Sequence, residues 1–126
     1  MRRRPRVSLW TLRIILVLHT IAICSQPIMA GYFLAGEVDA MNLHSPIGST
    51  LWLLGIVQLL AAGAYWLRGG GPYPTLWSAV LCVAEFVQIT FGYLQNFAVH
   101  VPLGTAIVVI AVWMTVRSFR RQEVTR

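Results

Sequence analysis

The sequence predicts an all-α membrane protein, a four-transmembrane-helix bundle made of two duplicated helical hairpins with both termini inside. Three observations carry that expectation. The chain of 126 residues is 57% hydrophobic and only 11% charged, whereas a soluble domain carries about 25% charged residues. Four stretches, residues 10–34, 47–67, 75–94 and 102–119, each supply the roughly 20 mostly apolar residues that a span needs. And one signature is written twice, 56 positions apart: Leu43-His44-Ser45-Pro46-Ile47-Gly48 and Val99-His100-Val101-Pro102-Leu103-Gly104. Each copy reads apolar-His-x-Pro-apolar-Gly and opens an apolar run, so a single membrane domain, residues 1–126, accounts for the whole chain.

The first span follows a basic arm, Met1–Arg6. The arm and the apolar run resemble a signal peptide, but the run continues to about Leu34, beyond an ordinary signal core. A lipoprotein reading at Cys24 fails because Ile23 stands where a small residue is needed. The outer loop Gly36–Asn42 carries Glu37 and Asp39. Span two is expected to start at Pro46, since proline at the first helical position wastes no backbone donor, with Ser45 as its N-cap. On that reading His44 and His100 precede their helices. Gly48, Gly55 and Ala62, at seven-residue spacing, form a small-residue seam that lets helices approach closely. Gly69-Gly70-Gly71-Pro72-Tyr73-Pro74 is a linker that no helix crosses. Span three holds Glu85 near its middle, residues 95–100 make a tight outer turn, and the tail after Phe119 is polar. Cys24 and Cys82 fall at different depths, so no disulfide is expected. Trp10, Trp52, Trp66 and Trp77 lie mainly near span ends, where aromatic belts form, with Trp113 one turn inside.

Net charge is +6 and all ten basic residues are arginines. Arg2, Arg3, Arg4, Arg6 and Arg13 flank span one, Arg68 follows span two, and Arg117, Arg120, Arg121 and Arg126 close span four. The loops after spans one and three have no Lys or Arg. The positive-inside bias therefore places both termini and the loop at residues 68–74 in the cytoplasm, with the spans in a plasma or bacterial inner membrane. Charge gathered at span ends argues for a lipid surface rather than nucleic acid.

Two constellations carry possible chemistry. The first is His44 and His100, which the duplication sets facing each other across a pseudo-axis along the membrane normal. Two imidazoles suit a haem iron or another metal, or a quinone; Glu37 and Asp39 are the only acidic neighbours, and the spacing selects no metal. Gln26 before Gly31-Tyr32 and Gln88 before Gly92-Tyr93 extend the repeat, with spacings that differ by one residue. The second is a central polar slab of Glu85, His19, Gln58, Gln88 and Gln26. Counting about 1.5 Å per residue, these lie roughly 9–20 Å from the inner ends of their spans. An ionised carboxylate in hydrocarbon is costly, so Glu85 should face the bundle interior and be protonated or paired, first with His19 and next with Gln58. No phosphate loop, Ser/His/Asp set, CxxC or HExxH is present.

The His-x-Pro-x-Gly segments at 44 and 100, with the Gln…Gly-Tyr runs before them, resemble a group of small bacterial four-helix membrane proteins of actinobacterial type. More distantly the hairpin repeat is similar to membrane b-type cytochromes and to haem A synthase, whose repeated four-helix units hold haem between histidines. The resemblance implies haem b near the outer face between spans two and four, bound by His44 and His100. Two other readings stay open on the residues: a subunit without chemistry in a larger respiratory or transport complex, and a small proton-coupled transporter with Glu85 in its path, which four helices would favour building as a homodimer.

Overall fold

The computed structural model describes residues 6–120, and no strand occurs among them. Four helices make the bundle: α1 (Arg6–Leu34), α2 (Met41–Leu67), α3 (Tyr73–Tyr93) and α4 (Phe97–Arg120), with one 3-10 turn, Val38–Ala40, between the first two. Each helix is long and apolar enough to cross a bilayer. Their outward faces are lined by exposed Ile14, Leu18, Ile21, Leu53, Leu60, Val83, Phe86 and Val109, a continuous apolar exterior that a bilayer covers and water would not. The chain is a multi-pass membrane protein.

Each helix turns one narrow stripe inward at the three- and four-residue spacing of a packed bundle. The stripe positions are Leu12, Leu16, His19 and Ile23 on α1, Leu51, Gly55, Gln58 and Ala62 on α2, Ser78, Leu81 and Glu85 on α3, and Ile107, Ala111 and Met114 on α4; Ser8 and Arg13 are also buried, near the start of α1. The stripes follow the repeat. Leu16, His19 and Ile23 correspond to Ser78, Leu81 and Glu85 at an offset of 62; Leu51, Gly55 and Gln58 correspond to Ile107, Ala111 and Met114 at an offset of 56. Backbones touch around the square, α1 to α2, α2 to α3, α3 to α4 and α4 to α1, while the diagonals α1–α3 and α2–α4 are bridged by side chains alone. The seam on α2 works as expected. Ala62 is fully buried, and a Cβ on Gly55 would strike Glu85 Oε2 and meet Cys82 at 3.5 Å.

Three helices end in the same way. Gly36 after α1, Gly69 after α2 and Gln95 after α3 take positive φ, at 104°, 92° and 54°. In each case the next N–H reaches back to the carbonyl five residues earlier: Glu37 to Tyr32, Gly70 to Tyr65 and Asn96 to Phe91. This is the Schellman arrangement, which satisfies the last free carbonyls.

The helix starts differ from the sequence expectation. Pro46 and Pro102 lie inside α2 and α4, so His44 and His100 are helical residues, and Ser45 is no N-cap. The turn before α4 is Leu94–Asn96 rather than residues 95–100. The physical reason is that the first four N–H groups of a helix have no intrahelical partner, so a proline just past the first turn sacrifices a single bond. A helix can therefore extend one turn ahead of it. The arginine arm at residues 1–5, and Arg121 and Arg126, lie outside the described residues.

Candidate functional site

The two histidines of the repeat are brought together. His44 on α2 and His100 on α4 meet across the open diagonal, ring centroids 6.4 Å apart with planes at 67°. Their surroundings repeat as well. His44 Nδ1 donates to the Gln26 carbonyl of α1 at 3.1 Å, and His100 Nδ1 donates to the Gln88 carbonyl of α3 at 2.9 Å. A carbonyl only accepts, so both Nδ1 atoms carry hydrogen and each neutral ring keeps its lone pair on Nε2. Neither Nε2 has a hydrogen-bond partner among the described residues.

Glycines make this approach possible. A Cβ on Gly48 would stand 2.9 Å from the Gln26 amide, and one on Gly104 would stand 2.7 Å from the Gln88 amide. Gly92 lies under His100, where a Cβ would be 2.9 Å from the ring. Gly31 faces open space, so the two Gly-Tyr runs are not equivalent, although Gln26 and Gln88 are. Tyr93 bonds Ser49 at 2.9 Å, whereas Tyr32 is exposed. The buried side-chain oxygens Gln26 Oε1 and Gln88 Oε1 have no hydrogen-bond partner.

The polar slab divides in two. His19 Nε2 and Glu85 Oε1 lie 2.7 Å apart, both side chains essentially inaccessible, across the α1–α3 diagonal. His19 Nδ1 pairs with Gln58 Oε1 at 2.9 Å, and Gln58 Nε2 donates to Ser78 Oγ at 3.0 Å. The result is one buried chain, Glu85–His19–Gln58–Ser78, crossing three helices. His19 was the expected partner of Glu85 and Gln58 the next; Ser78 was not singled out, because a serine in an apolar run has no distinctive spacing. Gln26 and Gln88 do not join the chain. They lie two turns beyond His19 and one turn beyond Glu85, and their amides pack against the glycines of the histidine-bearing helices. The pair interrupts the repeat, since the partner of His19 in the other half is Leu81 and that of Glu85 is Ile23.

With His19 Nδ1 donating to Gln58, one proton is shared between His19 Nε2 and Glu85 Oε1, and it can reside on either atom. Glu85 Oε2 makes no hydrogen bond and rests against Gly55. Sequence reading also missed a clamp between α1 and α4, where Thr20 Oγ1 and Thr115 Oγ1 lie 2.8 Å apart and reach the Ala111 and Leu16 carbonyls.

What the histidine pair could hold follows from its donors. No group of three or more His, Cys, Asp or Glu able to hold a metal occurs among the described residues. Asp39 instead accepts from Asn42 at 3.3 Å. A bare ion would find too few protein ligands. A porphyrin brings four of its own and needs two from the protein. Comparison with protein-family models, with curated proteins and with solved structures returns no match.

Proposed function

We propose that the protein is a small membrane cytochrome-like haem binder, in which His44 and His100 would hold one b-type haem at the end of the bundle opposite the arginines. The observation that carries this reading is the matched pair of rings, each fixed through Nδ1 by a backbone carbonyl and each left with a free Nε2 lone pair. Metal-ligating histidines regularly hold their other nitrogen in this way, which sets the tautomer and ring orientation. The same feature favours haem over a quinone, because quinone carbonyls need donors and these rings have already committed theirs. When bound, a haem supplies one-electron transfer. The chain's own residues orient the ligands and, at Gln26 and Gln88, add two buried amide groups near the site. The positive-inside bias supports an orientation with both termini cytoplasmic and the site toward the outer face of the membrane, which we take to be a bacterial inner membrane.

The visible spectrum of the detergent-purified protein from haem-replete cells, oxidised and dithionite-reduced, tests this. A reduced band that disappears in the His44→Ala/His100→Ala variant is expected. A colourless wild type would turn the reading toward a subunit of a larger complex.

A second reading rests on a separate observation, the buried Glu85–His19 pair. An ionisable pair at mid-membrane depth is a functional feature by default, and one mobile proton between Oε1 and Nε2 suits proton handling. Glu85→Gln should keep the fold and abolish proton-dependent transport in vesicles. Uptake at the wild-type rate in that variant would end the proton-relay reading.

A further inference from the structure

The arginine end of the bundle holds a cavity that the histidine site does not use. It measures about 60 Å³, several times the ~10–15 Å³ that one water requires. All four helices line it; Leu12, Leu16, Trp77 and Met114 form its apolar walls, and Arg13 and Arg117 supply its charge.

Arg13 is unusual in being only 4% exposed. Its Nε and Nη2 both donate to the Ser118 carbonyl, at 3.1 and 2.7 Å, and its guanidinium packs against the Trp10 and Phe119 rings at 5.0 and 4.9 Å. None of these partners is anionic. The described carboxylates are elsewhere: Glu85 pairs with His19, and Glu37 and Asp39 lie in the loop at the opposite end. A buried charge is ordinarily paired, and Arg13 has no counter-ion among the described residues. Arg117, stacked on Trp113 at 5.2 Å and near Tyr73 at 5.9 Å, brings a second cation to the same cavity.

We propose that this cavity binds the phosphodiester headgroup of an anionic phospholipid, with Arg13 and Arg117 as its two cationic contacts. Guanidinium matches phosphate oxygens in a two-pronged geometry. The apolar walls and the position at the mouths of the spans favour a lipid over free phosphate, because a lipid carries hydrocarbon into the same space. The site is independent of haem binding.

Native mass spectrometry after extraction from equimolar phosphatidylglycerol and phosphatidylcholine vesicles tests the proposal. The wild type should retain phosphatidylglycerol about tenfold over phosphatidylcholine, which offers the same phosphodiester but brings a trimethylammonium cation against the two guanidinium groups. Arg117→Gln, at an exposed position that leaves the core intact, should remove most of that preference, and Arg13→Lys, which keeps the charge but loses the fork, should weaken it. Arg68→Gln, at the same end but outside this cavity, should leave it unchanged. Equal retention of the two lipids by the wild type would overturn the proposal. So would an equal loss in Arg68→Gln and Arg117→Gln, which would mark general surface charge. Displacement of the lipid by millimolar inorganic phosphate would reassign the site to a soluble anion.

Discussion

Glu85 Oε2 has no donor and rests against a glycine, an arrangement that a single methyl group disrupts. Gly55→Ala must push a Cβ into the Glu85 carboxylate, with Cys82 in ordinary contact at 3.5 Å, and should cost about 1–3 kcal/mol as overpacking, read from the unfolding midpoint in detergent. Gly31→Ala, in open space, should cost nothing. A second matched comparison isolates the histidine site. Gly92→Ala places a Cβ 2.9 Å from the His100 ring, so it should displace the ring and reduce haem occupancy several-fold while leaving helicity unchanged by circular dichroism. A Gly92→Ala protein with full occupancy would show that His100 does not bind in this orientation. At this scale the sequence was informative where chemistry is rare in an apolar chain. His19, Glu85 and Gln58 stood out because polar groups in hydrocarbon need partners. Ser78, Thr20 and Thr115 did not, because a hydroxyl can bond its own helix backbone and so signals nothing about a partner. Gln26 and Gln88, at comparable depth and at helical spacing from His19 and Glu85, were read as part of one slab, and neither depth nor spacing says which neighbour a side chain reaches.

At the scale of the helix, the interior positions were legible and the ends were not. Runs of 20 apolar residues and the seven-residue spacing of Gly48, Gly55 and Ala62 fix a span and its inward face. A proline near the start of a run marks a position that loses one bond, and that is compatible with a helix beginning at the proline or a turn before it. α2 begins at Met41, five residues before Pro46. Ser45→Ala should therefore leave stability unchanged, where loss of a true N-cap would cost about 1 kcal/mol. The C-terminal ends yield the opposite prediction. Gln95 takes the positive φ that glycine takes at Gly36 and Gly69, at a cost to a residue with a Cβ of about 1 kcal/mol. Gln95→Gly should raise the unfolding midpoint by a comparable amount, and a fall would show that the Gln95 side chain contributes more than its backbone costs.

In the whole molecule, duplication is what brings the site together. Equivalent helices of a repeated hairpin, α2 and α4, stand on opposite corners of the square, so a histidine in one meets its copy across the centre at the same depth. This was legible from two hexapeptides 56 positions apart, as was the gathering of arginines at one end, where Arg13 reaches the Ser118 carbonyl from the other terminal helix. The break in the repeat was not legible, because Leu81 and Ile23 stand opposite His19 and Glu85 with nothing in the pattern to require the exchange. The central claim is that one group is held jointly by the two halves. Titration of haem-free protein with haemin, followed by visible and electron paramagnetic resonance spectra, tests it most directly. One haemin per chain with a low-spin bis-imidazole signal is expected, converting to high spin in either His44→Ala or His100→Ala alone. Unchanged low-spin binding in either single variant, or no saturable binding by the wild type, would contradict it.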